Sequence, residues 1–551
     1  MSGHSYDYVI VGAGAAGCVL AHRLSEDADV RVLAIEAGPP DSDENIHMPH
    51  GYLKLPRAEF DWCYESTPEH ECLGRRVSLP RGKVLGGCSS TNAMIYVRGN
   101  PRDYDDWGVR GWAWADLLPY FLEAEDNERG GSRWHGAGGP LSVSEPRAPS
   151  ALARAFVDAG VQAGLARNED FNGAAQDGVG FFALTQRDGM RASAAAAYLH
   201  PAMERANLSV MTHTHVRRVL FEGERAVGVL ARSRAGEKEL RAEREVILCA
   251  GAYNSPQLLM LSGVGPAGHL RACRIDVVLD RPGVGENLSE HAATELLWMA
   301  PEPPGRLARR RWRSTRMLLA ARRGAFAAGL AEAGGFARVA ADAPAPDTQL
   351  HFVAVRFQEE GEQEADAHAA WLSPCLLTPR SRGSVRLACN DPGAKPLVHN
   401  AFYTADEDRR RMIDALGLAL EICAQPALEP YCAEPLAVPG RTEQALRDHL
   451  ARTTFAFYHP VGTCRMGEDA DAVLDEQLRV NGLERLRVVD ASAMPAVPRG
   501  NTCAATIAIA ERAADLIRHG RARLPRAGAR TPSAGWSTPS AGSSNLPKGG
   551  A

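Results

Sequence analysis

The sequence predicts an α/β fold, α+β overall, on three observations. A βαβ unit with a glycine-rich turn opens the chain, two further apolar strands lie far downstream and each ends in a turn, and 551 residues are too many for one core. In the opening unit, Tyr8 to Val11 is an apolar run of the kind a buried parallel strand shows. Gly12, Gly14 and Gly17 follow in G-x-G-x-x-G spacing. The first glycine allows the tight turn, the second lets a diphosphate approach the backbone, and the third lets helix and strand touch. The helix expected from Cys18 to Leu24 offers its N-terminal amides and positive dipole end to that diphosphate, so no cationic side chain is required. Val30 to Ile35 is the second strand, and Glu36 closes it, where a carboxylate accepts from ribose hydroxyls and disfavours a 2′-phosphate. These residues predict a Rossmann-like dinucleotide-binding domain that does not take NADP; they leave NAD and FAD undivided.

The later strands are Glu245 to Cys249, leading into Ala250 and Gly251, and Leu486 to Val489, ending at Asp490. Both have the character of parallel strands followed by a functional turn. If they join the first sheet, the dinucleotide domain is discontinuous, at 5–155, 205–300 and 465–518, and the residues at 156–204 and 301–464 form a second domain. From Arg521 the chain turns to Thr-Pro-Ser-Ala-Gly repeats, and 521–551 is read as a disordered tail. The stretch Gly305 to Arg323 carries eight arginines between Arg306 and Arg323 and is read as a solvated helix face.

Composition narrows the partners. There are 62 basic and 67 acidic residues, so no global field recruits nucleic acid or anionic membrane. Twelve cysteines are scattered without zinc spacing, and no metal site is expected. Neither a signal peptide nor a window of roughly 20 apolar residues is visible. The expectation is a soluble cytoplasmic protein acting on a small molecule.

Four further segments carry a resemblance. Arg81 to Met94, with Gly86, Gly87, Cys88, Ser89, Thr91, Asn92 and Ala93, continues to Tyr96-Val97-Arg98-Gly99. Gly251-Ala252-Tyr253-Asn254-Ser255-Pro256 runs to Gly265; Tyr458-His459-Pro460-Val461-Gly462-Thr463 runs to Gly467; and Val488 to Ser492 leads through to Gly500-Asn501-Thr502. In this order they resemble the signatures of the glucose-methanol-choline (GMC) oxidoreductases, from about residue 5 to 518, and most of all the choline dehydrogenases and related bacterial alcohol dehydrogenases. The resemblance implies FAD rather than NAD, a discontinuous flavin domain, and a substrate domain with an antiparallel sheet flanked by helices. It implies a cofactor site formed by Gly12, Gly14, Ala15, Ala16, Gly17, Glu36, Ala37, Gly86, Gly87, Asn92, Ala93, Met94, Val216, Ala250, Gly251, Asp490, Ala491, Asn501 and Thr502. Some relatives attach flavin through a histidine; Thr91 stands there and cannot form that bond, so FAD is expected to be dissociable.

Oxidising an alcohol with flavin requires a base for the hydroxyl proton and a mould for the carbon that gives up hydride. His459 is the candidate base, since neutral imidazole accepts a proton near pH 7. Asn501 is the candidate donor to the substrate oxygen, with a plain N-cap of the helix Thr502 to Leu516 as the competing role. That helix start would also stabilise the anionic reduced flavin. Glu332, in the stretch Leu330 to Phe336, and Tyr458, Phe457 and Trp371 are candidates for substrate contact, by carboxylate or cation-π attraction. The expected activity is oxidation of a primary alcohol to its aldehyde, with electrons passed to a quinone or carrier protein. The alternatives are an oxidase that reduces O2 to hydrogen peroxide, or a hydroxynitrile lyase of the same family.

Overall fold

Side chains at Tyr8, Val9, Ile10 and Val11 are all buried, so the strand Tyr6–Val11 takes the middle of a sheet rather than an edge. It pairs in parallel with Val32–Ile35 on one side and with the C-terminal half of Gly236–Leu248 on the other. Leu208–Met211 and Leu486–Val488 extend this parallel sheet outwards. Helices Ala15–Leu24 and Thr502–His519 pack together over it through Leu20, Leu24, Ile509 and Ala513. The computed structural model describes residues 5–49, 51, 55, 57–147, 149–299, 331–353, 369–432 and 434–520. The arginine stretch Gly305 to Arg323 and the tail 521–551 lie outside them.

The long strand Gly236–Leu248 does two jobs. Its first half pairs antiparallel with Arg225–Ser233, which pairs with His215–Glu222, and only its second half enters the parallel sheet. The sequence reading placed a strand only at Glu245 to Cys249, because Glu237, Lys238, Glu239, Arg241, Glu243 and Arg244 break the apolar pattern. Those side chains sit on an exposed ribbon, which needs no continuous apolar run. The first helix likewise starts three residues earlier than expected, at Ala15.

A second sheet is entirely antiparallel, in the order Glu434–Ala437, Leu296–Met299, Ala369–Leu376, Thr348–Val353, Ala333–Ala337, Gly178–Phe181. Helices Ala151–Gln162, Asp406–Cys423 and Glu443–Thr453 cover one face, where Phe156 stacks on Phe352 with ring centroids 4.5 Å apart. Its other face carries Leu297, Phe336, Val353 and Trp371, packed against Ile95 and Val97.

This pairing corrects the expected domain limits. Residues 292–299, assigned to the dinucleotide domain, pair in the second sheet, because Ala293 sits opposite Cys375 and Leu297 opposite Trp371. Residues Ala194 to Leu199, assigned to the second domain, pack against the first helix and bury Tyr198 and Leu199. The limit between 155 and 156 cuts the helix Ala151–Gln162, which packs whole on the second sheet. Among the described residues no helix is long and apolar enough to cross a membrane.

Candidate active site

The cofactor cradle is built from backbone. Gly12 adopts φ +96°, and a Cβ there would lie 2.5 Å from the Cys249 carbonyl oxygen, so only glycine lets the turn pass under the strand that ends at Leu248. Gly87 faces Gly14 so closely that a Cβ on Gly87 would stand 2.8 Å from the Gly14 Cα. The first turn of the helix Ala15–Leu24, which includes Ala15 and Ala16, begins beside this gap without a side-chain cap. Uncapped helix amides behind two opposed glycines suit a diphosphate, and the residues present fit the FAD expected from the sequence.

Glu36 is buried at the end of its strand, and its carboxylate accepts from the amides of Ala13 (3.1 Å) and Gly38 (2.9 Å), next to Ala37. Burial pushes its pKa up to about 7, opposed by those amides. Each oxygen keeps a lone pair for a ribose hydroxyl. Val216 lies close by: Thr214 N donates to the Glu36 carbonyl and His213 N to that of Gly38.

Asn92 is held by contacts that the sequence did not show. Its Oδ1 accepts from Met94 N (3.0 Å) and from Arg191 (2.7 Å), whose guanidinium also donates to the carbonyls of Ile46 and Ser89. Met94 is buried at φ +64°, a strained conformation for a side chain of that size, and Ala93 precedes it. The Asp490 carboxylate is occupied within the fold. Its oxygens accept from Gly251 N (2.9 Å) and Ser255 Oγ (2.5 Å) on one side and from Ser492 N (2.8 Å) and Oγ (2.5 Å) on the other. The carboxylate braces the turn at Ala250 and Gly251 against the turn at Ala491, leaving little capacity for another partner.

The catalytic candidates meet at the junction of the two sheets. Tyr458, at φ +67° and 42% exposed, gives its carbonyl to Arg81 and turns the chain so that the next side chain, His459, points inward and is buried. His459 Nε2 is 3.1 Å from Asn501 Nδ2, and His459 Nδ1 is 3.0 Å from His291 Nδ1. Asn501 stands at the N-cap position of the helix Thr502–His519, yet its side chain makes no capping bond; it is turned to His459 and to Gln349 Nε2 (3.3 Å). The competing N-cap role therefore fails for its side chain. Thr502 gives its carbonyl to the Thr506 hydroxyl.

Three histidines cluster here. Burial, then the neighbouring His291, His351 and Arg81, hold the His459 pKa well below its usual value. Burial pushes His291 and His351 down to about 3. Phe457 stacks on His351 at 4.1 Å and lies 5.5 Å from His459. Neither ring nitrogen of His351 has a hydrogen-bond partner among the described residues, nor does Gln349 Oε1. Buried polar atoms without partners are costly, and several in one pocket mark a place built to hold a polar ligand. Glu290 supports the pair from behind: its Oε1 accepts the amides of both His291 (2.9 Å) and His459 (2.7 Å). Burial, opposed by Arg81, pushes its pKa up to about 8, so it is largely uncharged at neutral pH.

The loop before Asn501 is equally fixed. Arg499 forms a buried ion pair with Asp103, and its carbonyl accepts from Gln176 Nε2 (2.6 Å). None of Glu290, His291, Gln349, His351, Arg191 or the Asp103–Arg499 pair was singled out from sequence. The only available signal was the run Glu290-His291, which has no spacing motif of its own. The proposed substrate residues are dispersed. The Glu332 carboxylate accepts from Ser150 N (2.9 Å) at the start of the helix Ala151–Gln162, and shows no contact with the His459 cluster among the described residues. Trp371 donates to Glu295 (2.7 Å) on the sheet face that also carries Val353 and Phe336.

Comparison with known proteins agrees with this geometry. The family model described as GMC oxidoreductase matches residues 6–293 with its N-terminal part and 379–510 with its C-terminal part. The oxygen-dependent choline dehydrogenase of Serratia proteamaculans is 42% identical over 95% of this chain and 97% of its own. The alcohol dehydrogenase [acceptor] of Pseudomonas putida is 40% identical over 93% and 95%. Among solved structures, pyridoxine 4-oxidase from Mesorbium loti superposes with a TM-score of 0.86 at 36% identity, covering 94% of this chain and all of that one. A single-residue variant of formate oxidase from Aspergillus oryzae, solved for the effect of its mutation on FAD modification, gives 0.87 at 26% identity over 94% and 99%. With the glycine cradle, the discontinuous parallel sheet and the His459 cluster in place, the chain belongs to the FAD-dependent GMC oxidoreductases.

Proposed function

We propose that the protein oxidises a primary alcohol to its aldehyde, with His459 as the base and Asn501 as the donor to the substrate oxygen. The observation that carries this reading is the pair itself: a buried imidazole held neutral, 3.1 Å from an amide that is not used as a helix cap. A neutral imidazole takes the hydroxyl proton as the carbon gives up hydride; bound FAD supplies the hydride acceptor. Asn501 donates to the developing alkoxide without competing for the proton. The unpartnered nitrogens of His351 and the free Oε1 of Gln349 offer further polar contacts to the substrate. Phe457, beside His351 and His459, packs against the apolar face that carries Val353 and Trp371, and would shield the reacting carbon from water. FAD is held without a covalent bond, since Thr91 replaces the linking residue. Electrons leave the reduced cofactor for a non-NAD acceptor.

The test is anaerobic mixing of the FAD-loaded enzyme with choline, pyridoxine, benzyl alcohol and 1-butanol in turn. At least one is expected to bleach the flavin band and yield its aldehyde, and choline against the uncharged alcohols reports substrate charge. Failure of all four to reduce the flavin sinks the reading. The best of them, turned over in air, then separates acceptors: peroxide equal to aldehyde marks an oxidase, and dye reduction without peroxide a dehydrogenase.

A further inference from the structure

We propose that Gln349, Asn501, His459, His291 and the Leu377 carbonyl form one head-to-tail hydrogen-bond chain that keeps the proton of neutral His459 on Nδ1 and leaves Nε2 as the basic atom. His291 and Gln349 are its positioning residues. The inference rests on His459 as the base, and adds which of its atoms does the work and what decides it.

The direction of the chain follows from groups that can act in only one sense. The Leu377 carbonyl can only accept, so His291 Nε2, 3.2 Å away, carries a hydrogen. His291 is fully buried and neutral, so its Nδ1 has a lone pair. That lone pair faces His459 Nδ1 at 3.0 Å and requires a hydrogen there. The opposite end runs in the same direction. Asn501 Nδ2 can only donate, so His459 Nε2, 3.1 Å away, is the bare nitrogen. Gln349 Nε2 donates to Asn501 Oδ1 at 3.3 Å, so the two amides continue head to tail the direction that Leu377 and His291 set. Reversing any one member would set two hydrogens or two lone pairs face to face inside a buried cluster.

Glu290 adds the frame. One oxygen binds the backbone amides of both histidines, holding the two Nδ1 atoms opposite each other, and the rings meet edge to face, 5.1 Å between centroids and 90° between planes. When an alcohol enters, the Asn501 Nδ2 hydrogen bond shifts from His459 Nε2 to the alcohol oxygen and frees the Nε2 lone pair; the hydroxyl proton then moves to Nε2, and the O–H bond breaks as the N–H bond forms. The resulting imidazolium keeps its Nδ1–H on His291, so no proton has to travel through the chain. A neutral histidine backed by a carbonyl thus does the orienting that a carboxylate does in serine proteases, where the wrong tautomer lowers turnover about 10⁴-fold.

The experiment labels histidine ring nitrogens with 15N and records long-range 1H–15N spectra of the FAD-loaded enzyme, with His459→Ala identifying the signals of His459. A pyrrole-type Nδ1 and a pyridine-type Nε2 are expected. In His291→Leu the Nε2–H form should gain population; in His291→Asn, whose Oδ1 still offers an acceptor, the original tautomer should persist. Gln349→Leu should loosen the Asn501 amide and give a mixture. Anaerobic reduction by choline, pyridoxine and benzyl alcohol should fall about 10²-fold in His291→Leu and recover to within about tenfold in His291→Asn, with half-saturation unchanged. Nε2–H in the parent enzyme overturns the proposal, as does an unchanged tautomer in His291→Leu. If the leucine variant does not fold, the parent and asparagine spectra decide. If none of the alcohols reduces the parent flavin, the alcohol reading fails while the spectra still decide the tautomer.

Discussion

Around Gly12, Gly14 and Gly87 the working atoms are backbone amides and the side chains are reduced to nothing; around His459 they are side chains delivered by strands and loops that stand up to 169 residues from it in sequence. The cradle needs close approach, which glycine provides locally and in a fixed spacing. The pocket needs donors, acceptors and a neutral base in a dry space, which packing provides and no short segment can. The two regions therefore fail differently: a Cβ in the cradle is a steric problem felt by folding and cofactor binding, whereas a changed side chain in the pocket is felt by the rate.

That contrast can be broken at three points. The largest effect is expected at His459→Ala, which should lower the anaerobic rate of flavin reduction about 10²- to 10⁴-fold while FAD content stays at the parent level. A near-parental rate would remove His459 as the base. Gly12→Ala should do the reverse. The left-handed φ of +96° and the clash with Cys249 O should cost about 1–3 kcal/mol from backbone strain alone. FAD content and melting temperature should both fall, and the flavin that remains bound should be reduced at a rate close to normal. A full complement of FAD in this variant would show that the cradle does not depend on a bare backbone.

A smaller effect is expected where the two regions are joined. The segment that leaves the cradle passes through Val97 to Arg98, which is buried against Glu125, and His135 sits between Glu125 and Asp170. Burial lowers the His135 pKa, but hydrogen bonds to Asp170 and Glu125 and their charges outweigh it and raise it from 6.5 to about 9. A folded pKa above the unfolded one contributes stability that is full below pH 6.5 and is lost as pH rises through about 9. The melting temperature of the parent should exceed that of His135→Gln at pH 6, and the gap should close between pH 7 and 10. A constant gap would mean that His135 contributes by packing rather than by charge.

How much was legible follows the same division. The turn at Gly12, the acid at Glu36, and the loops of His459 and Asn501 stand in contiguous motifs, so single segments announced them. The residues packed around His459 did not. Gln349 and His351 are two residues on one strand whose alternation places them on the same face, but nothing local says that this face meets His459. Glu290 and His291 look like any polar pair before a strand. The first nine residues of Gly236–Leu248 hid because six of their side chains are charged, and the limit at residue 300 was misplaced because strand pairing is invisible in a linear pattern. Asp490 was legible as a position at the end of its strand, whereas the occupation of its carboxylate by Ser255, Ser492 and Gly251 was not.

By itself, the sequence determined the family, the dinucleotide cradle and the identity of the histidine and asparagine candidates, because those depend on backbone freedom and residue type at fixed short spacing. Only the tertiary structure decided that the asparagine faces the histidine rather than capping its helix, that Glu332 is tied to Ser150, and that His459 is backed by His291 and Leu377. The physical reason is range. Turn geometry and helix capping act over a few residues, whereas burial, pKa and the sense of a hydrogen bond are set by whatever the fold brings within about 3 Å.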